Sequence, residues 1–194
     1  MGAAGPLPFP MALPPMTSPS PDRPAGAVKA ASATERVPWT EPAVILATCG
    51  WVGRIPRAPG TFGAALGIGL SAAAAALGCP LGVEAIVVIL LCIIGIPICD
   101  LAARQMGRGS DPGSIVWDEM ASVPLGLLLV PAGERTPLLL LAAFLLHRLF
   151  DIWKPFPCRQ LDEGHGGLGI MADDWGAAAW MAFGLAVGRQ AGWW

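Results

Sequence analysis

From Leu81 to Cys99 the chain runs for nineteen residues with one charge, Glu84, near one end. A stretch of that length and polarity is long enough to cross the hydrocarbon of a bilayer as a helix. Four further apolar runs accompany it: Phe62–Leu77, Met120–Val130, Leu138–Phe150 and Gly176–Gly188. Ala and Leu dominate them, and the alternating β-branched and aromatic pattern of strands is missing, so the fold is expected to be all-α. Only 13% of the 194 residues are charged while 54% are hydrophobic, about half the usual charged share. A chain this poor in charge cannot cover a water-facing surface, and a membrane-associated bundle follows. Within the first run Gly63-x-x-x-Gly67 has the spacing that lets two helices approach closely.

Residues 1–42 hold ten of the twenty prolines and cannot build a helix or a core, so they read as a disordered tail ahead of a helical domain over 43–194. The segment lacks the basic stretch and continuous apolar run of a secretory signal. The net charge of -2 and the absence of any basic run exclude nucleic acid as a partner. Five cysteines show neither a CxxC pair nor zinc spacing and read as free thiols.

Three polar blocks separate the apolar runs: Thr48–Thr61, Asp100–Glu119 and His147–Asp174. If every run crosses a membrane, the blocks fall on one side and the short connectors near Cys79-Pro80 and Ala132–Pro137 on the other. Ten of the twelve basic residues then share the side of the blocks, with only Arg135 and Arg189 opposite. The positive-inside rule puts that side in the cytoplasm.

Nine of the fourteen acidic residues lie in the second and third blocks: Asp100, Asp111, Asp118, Glu119, Asp151, Asp162, Glu163, Asp173 and Asp174. Carboxylates close to lipid are costly unless paired or bound to a cation. The adjacent pairs Asp118-Glu119 and Asp173-Asp174 each abut an apolar run, and mutual repulsion disfavours ionising both members unless a cation compensates. Oxygen-only ligands of this kind suit Mg²⁺. An Asp before a helix serves equally well as an N-cap, and Asp111-Pro112 and Asp173-Asp174 both fit that role singly. It is the concentration of nine in two blocks that points to a metal.

On a helix His147, Asp151 and Lys154 would share one face, either as structural pairs or as a phosphate-binding set with Arg148. Pro155 should end that helix and leave Lys154 at the mouth of the block. The run Gly164-His165-Gly166-Gly167-Leu168-Gly169 satisfies a dinucleotide GxGxxG pattern, but no strand precedes it, and that reading is rejected. Its backbone N–H groups, Gly166 and Gly167 among them, can still approach an anion, and His165 can act as acid, base or donor.

Four segments carry a family resemblance: Pro59-Gly60-Thr61; Gly113-Ser114-Ile115-Val116-Trp117-Asp118-Glu119; Asp151-Ile152-Trp153-Lys154-Pro155-Phe156-Pro157; and His165-Gly166-Gly167-Leu168-Gly169-Ile170-Met171-Ala172-Asp173-Asp174. In order and spacing they resemble the signatures of phosphatidylglycerophosphatase A, across roughly Val44–Val187. The tail and a shorter Asp162–His165 turn depart from the family pattern. The resemblance implies a Mg²⁺-dependent phosphoric monoester hydrolase of the bacterial inner membrane. It would convert phosphatidylglycerophosphate to phosphatidylglycerol and inorganic phosphate. It also implies an all-helical fold packed about a central helix, with polar catalytic loops on one side.

The expected division of labour follows. Asp118, Glu119, Asp173 and Asp174, with Asp151 and Asp111, hold the metal, which neutralises phosphoryl oxygens and activates water. Arg148, Lys154, Gly166, Gly167 and Thr61 meet the substrate phosphate. Asp118, Asp173, Lys154 and Arg148 take part in catalysis, and His165 protonates the leaving oxygen. The loops of cysteine, haloacid-dehalogenase and histidine phosphatases are absent from the sequence. A transporter would favour internal repeats, which are not found. A purely structural membrane protein leaves the clustered carboxylates unexplained.

Overall fold

The computed structural model describes residues 39–107 and 113–193. Among these the chain forms seven α-helices and no strand: α1 Pro42–Ala47, α2 Pro59–Ala76, α3 Leu81–Met106, α4 Trp117–Leu127, α5 Pro137–Trp153, α6 Cys158–Asp162 and α7 Gly166–Gln190. Trp39 is partly buried against the core, Arg54 lies 5.1 Å from its ring centroid, and Pro42 already opens α1.

Local chemistry sets the helix limits. Pro59 and Pro137 open α2 and α5 at positions where a missing N–H costs nothing. Thr136 caps α5 by accepting the Leu139 N–H at 3.2 Å. Gly107 ends α3 in the left-handed conformation (φ 62°), the usual glycine solution to a helix C-terminus. At the end of α5 that conformation falls on Lys154 (φ 48°) ahead of Pro155, so the helix stops at the expected place.

The helices are longer than the apolar runs because they absorb much of the polar blocks. α3 continues through Asp100 and Arg104, and α7 begins at Gly166, ten residues before its apolar run. The charged signature residues therefore stand largely on helix ends, not in loops. Helices α2 and α3 are long and apolar enough to cross a membrane. The outer side of α3 exposes Ile86, Leu90, Ile93 and Ile94, as a lipid-facing helix requires. The result is an all-α, membrane-associated bundle.

The central helix is α4. It packs against α2, α3, α5 and α7 and touches α1, and it is buried from Asp118 to Leu127 except at the partly buried Leu125. Eleven residues rise only about 16 Å, too short to cross a bilayer, so α4 is a core element and not a span. Gly63 and Gly67 let α2 close on it. A Cβ at Gly63 would stand 2.8 Å from the Val116 carbonyl, and one at Gly67 would stand 2.8 Å from Val123 Cβ. The Trp117 indole donates to the Leu91 carbonyl at 3.1 Å and ties α4 to α3.

Two polar ends cap this apolar body. At one end lie the start of α2, the end of α3, the start of α4, the end of α5 and the first half of α7. At the other, Arg135 is buried and fully employed. It grips Glu84 through two hydrogen bonds of 2.6 and 3.0 Å and donates to the carbonyls of Val130, Ser71 and Leu127. One side chain thus joins α2, α3, α4 and the turn before α5.

Removing one partner of a buried pair leaves an uncompensated charge, so Arg135→Leu should cost about 3–5 kcal/mol. Glu134→Gln, which breaks the exposed Arg189–Glu134 pair of 2.6 Å, should cost under about 1 kcal/mol. Thermal unfolding in detergent reads both, and equal shifts would show that the buried pair does not hold this end together.

Candidate active site

Asp118 and Glu119 occupy the first turn of α4, where unsatisfied backbone N–H groups and the helix dipole favour negative charge. Asp174 reaches them from the third turn of α7. One carboxylate oxygen from each of the three lies within 4.8 Å of the others, and all three residues are buried. Asp118 Oδ1, Glu119 Oε2 and Asp174 Oδ1 have no hydrogen-bond partner. Burial pushes Asp118 well above the usual carboxylate range, and the charges of Glu119 and Asp174 push it further. Asp174 is raised for the same reasons, by burial and then by Glu119 and Asp151. Burial lifts Glu119 to about 7, with Asp118 and Arg148 pulling the other way.

The neighbouring cation does not neutralise this group. Arg148 Nη1 stands 3.5 Å from Glu119 Oε1 but also pairs with Asp151 Oδ2 at 2.5 Å, while its buried Nε finds no acceptor. One guanidinium is thus divided between two carboxylates, leaving Asp118 and Asp174 uncompensated. Three converging buried carboxylates with unpartnered oxygens form a donor set that fits a hard divalent cation.

Beside this cluster stands a second, fully paired one. Lys154 Nζ lies 2.6 Å from Asp162 Oδ1 and 2.8 Å from Asp173 Oδ2. Burial alone would lower its ammonium, but the hydrogen bonds to Asp162 and Asp173 outweigh this and hold it above its ordinary range. Asp173 and Asp174 are neighbours on α7 and so point about 100° apart. Asp173 turns to the lysine and Asp174 to the α4 pair. The expected six-acid metal set is in this way divided: Asp118, Glu119 and Asp174 converge, Asp173 contacts Lys154, and Asp151 pairs with Arg148. Asp111 lies outside the described residues.

The set His147, Asp151 and Lys154 does not act as one helix face. His147 is fully buried, with Nε2 3.0 Å from Ser122 Oγ and 3.9 Å from Asp174 Oδ1. Lys154 leaves the helical path at its left-handed cap. His165 is the exposed N-cap residue of α7. The Gly167 N–H, an expected phosphate donor, is taken by Asp100 Oδ1 at 3.3 Å. A Cβ there would stand 2.8 Å from the Asp100 nitrogen of α3, so Gly167 is a site of helix contact. Gly166 has φ 71° and begins α7 directly over the Asp100 carboxylate. Thr61 is half-buried in the first turn of α2.

The residues that sequence reasoning left unassigned are positioning ones. Asp100 pairs with Arg104 at 2.9 Å and holds the start of α7. Asp162 supplies half of the lysine clamp. Gly60 lets α2 press onto the site, since a Cβ there would collide with Glu119 Oε1 and stand 3.2 Å from Arg148 Nη1. Its place beside Pro59 and Thr61 in a signature segment was the available signal. The Asp100–Arg104 spacing of four residues on one helix was another.

Residues 45–188 match the phosphatidylglycerophosphatase A family. Phosphatidylglycerophosphatase A of Escherichia coli (strain K12) is 36% identical over 143 residues, covering 73% of this chain and 80% of that protein. The protein of the same name from Haemophilus influenzae is 42% identical over 125 residues, 63% of this chain and 73% of that one. A putative phosphatidylinositol-3-phosphatase of Bacteroides thetaiotaomicron is 42% identical over 81 residues, 42% of this chain and 51% of its own length. No solved structure matches. The matched region contains every carboxylate and cation of the two clusters, and the chain therefore belongs to the phosphatidylglycerophosphatase A family of phosphatases.

Proposed function

We propose that this chain hydrolyses phosphatidylglycerophosphate to phosphatidylglycerol and inorganic phosphate, with Mg²⁺ held by Asp118, Glu119 and Asp174. The observation that carries the reading is the buried triad itself, three carboxylates within 4.8 Å whose facing oxygens lack partners. The names of the Escherichia coli and Haemophilus influenzae relatives support the substrate. Phospholipid synthesis at the bacterial inner membrane is the setting that substrate requires.

When bound, Mg²⁺ supplies a Lewis acid that offsets charge on the phosphoryl oxygens and makes water more acidic. The chain's own groups do the rest. Lys154 spends two of its three N–H bonds on Asp162 and Asp173 and has a third to offer a phosphoryl oxygen. Arg148 holds Glu119 in place, and its partly exposed guanidinium can take up charge that develops on the transferring group. Asp173 orients Lys154, and Asp151 orients Arg148. We assign to His165, exposed at the N-cap of α7, the delivery of a proton to the leaving glycerol oxygen.

Phosphate release from phosphatidylglycerophosphate by the purified chain tests this directly. Excess EDTA should abolish it and Mg²⁺ restore it. Asp118→Asn and Asp174→Asn should each lose at least about a hundredfold, and Glu163→Gln, on the exposed turn, under about tenfold. Activity that survives EDTA, or a loss in Glu163→Gln equal to that in Asp118→Asn, would refute the metal assignment.

We place the site on the cytoplasmic face of the membrane, because Arg54, Arg104, Arg148, Lys154 and Arg159 stand on the elements of the site end while Arg135 and Arg189 stand at the other. A cysteine introduced at the exposed Arg104, in a chain freed of reactive native thiols, should resist an impermeant maleimide in intact cells. In inverted vesicles it should react. Labelling from outside the cell would reverse the orientation.

A further inference from the structure

An apolar cleft of about 540 Å³ runs between α5 and α7, within the size range of small-molecule sites. Its walls include Leu145, Leu146 and Phe150 from α5 and Trp180, Phe183 and Val187 from α7. Glycine at 184 keeps it open, since a Cβ there would stand 3.2 Å from Leu146 Cδ1. A second hollow, lined by Pro157, Gly176 and Ala179, shares Trp180 and Phe183 with the first. The two hollows meet at Trp180 and Phe183, and the second lies on the chain segments that carry the lysine clamp. Pro157 follows Lys154 by three residues, and Gly176 follows Asp173 by three on α7. From Gly176 to Val187 the groove extends about 16 Å along α7, close to the thickness of one hydrocarbon leaflet, about 15 Å. The Trp180 indole donates to the Phe156 carbonyl at 3.0 Å. Its polar edge is thereby satisfied at the clamp end, and its ring packs with Phe150 and Phe183.

We infer that this groove holds a fatty acyl chain of the substrate, so that the α5–α7 face supplies lipid recognition while the two clusters supply the chemistry. The inference rests on the lipid phosphomonoester reading above. An acyl chain is the occupant that this placement selects, because the nearer hollow is lined by Pro157 and Gly176, three residues after Lys154 and Asp173, and the lining of both hollows is apolar. A second copy of the chain would need no such junction.

Photolabelling of the purified full-length chain tests it, with phosphatidic acid carrying a diazirine in one acyl chain as the probe. Crosslinks should concentrate on residues 145–150 and 179–187, and unlabelled phosphatidic acid should compete them away while glycerol phosphate should not. Labelling spread equally over the lipid-facing side of α3, at Ile86 and Ile93, would overturn the inference. Ala179→Trp, at an exposed position in the groove, should lower the ratio of kcat/KM for a long-chain phosphatidylglycerophosphate to that for its deacylated form by at least about tenfold. An unchanged ratio contradicts the proposal. So does a change from dimer to monomer at constant ratio, which would assign the groove to a second copy. Photolabelling does not depend on phosphate release, so failure of the hydrolysis reading appears in the release assay alone.

Discussion

Three carboxylates confined to a buried space of a few ångströms are the constraint around which the site end of the bundle is arranged. Each raises the cost of ionising the others, and burial raises it again, so Asp118, Glu119 and Asp174 cannot all be charged without a compensating cation. The surrounding helices hold them in place against this repulsion. Gly60 lets α2 close on Glu119, Asp100 fixes the start of α7 below Asp174, and the Val116 N–H donates to the Ala47 carbonyl at 2.9 Å to seat the start of α4. Arg148 and Lys154 remain outside the triad because Asp151, Asp162 and Asp173 hold them there. The division into an acidic cluster with unpartnered oxygens and a fully paired lysine clamp gives this end its polarity; in the function proposed, the first would hold a cation and the second would face phosphate.

The apolar body works to the same end. A helix as short as α4 could not stand alone in a bilayer, yet it is sheathed by α2, α3, α5 and α7, two of them long and apolar enough to face lipid. Its first turn is thereby carried to a fixed depth below the polar end. At its other end the Arg135–Glu84 pair satisfies the carbonyls of Leu127 and Val130, where α4 gives way to a turn. Backbone groups left open there would be costly in apolar surroundings.

Much of this was legible in the sequence because the signals were local. The apolar runs marked the helices, Pro155 marked the end of α5, and Gly63 and Gly67 marked the face on which α2 meets α4. The concentration of acids marked the blocks that hold the site. What could not be read was the partition among those acids. Whether Asp173 or Asp174 faces α4 depends on where α7 begins, and the Gly166 start lies well ahead of the apolar run. Nor could the partner of the Gly167 N–H be read, since it is Asp100 on α3, a tertiary contact. The burial of His147 against Ser122 depends likewise on how α5 turns toward α4, which no periodicity over five residues could fix.

In the function proposed, Asp118, Glu119 and Asp174 form one divalent-cation site. Binding of Mn²⁺, a paramagnetic stand-in for Mg²⁺, to the detergent-purified chain can be followed by electron paramagnetic resonance without any substrate. The account predicts saturable binding that Mg²⁺ displaces and that Asp174→Asn abolishes. It also predicts that binding weakens as pH falls through about 7, where Glu119 takes up its proton. Binding that is undiminished in Asp174→Asn, or its absence from the unaltered chain at pH 8, would contradict it.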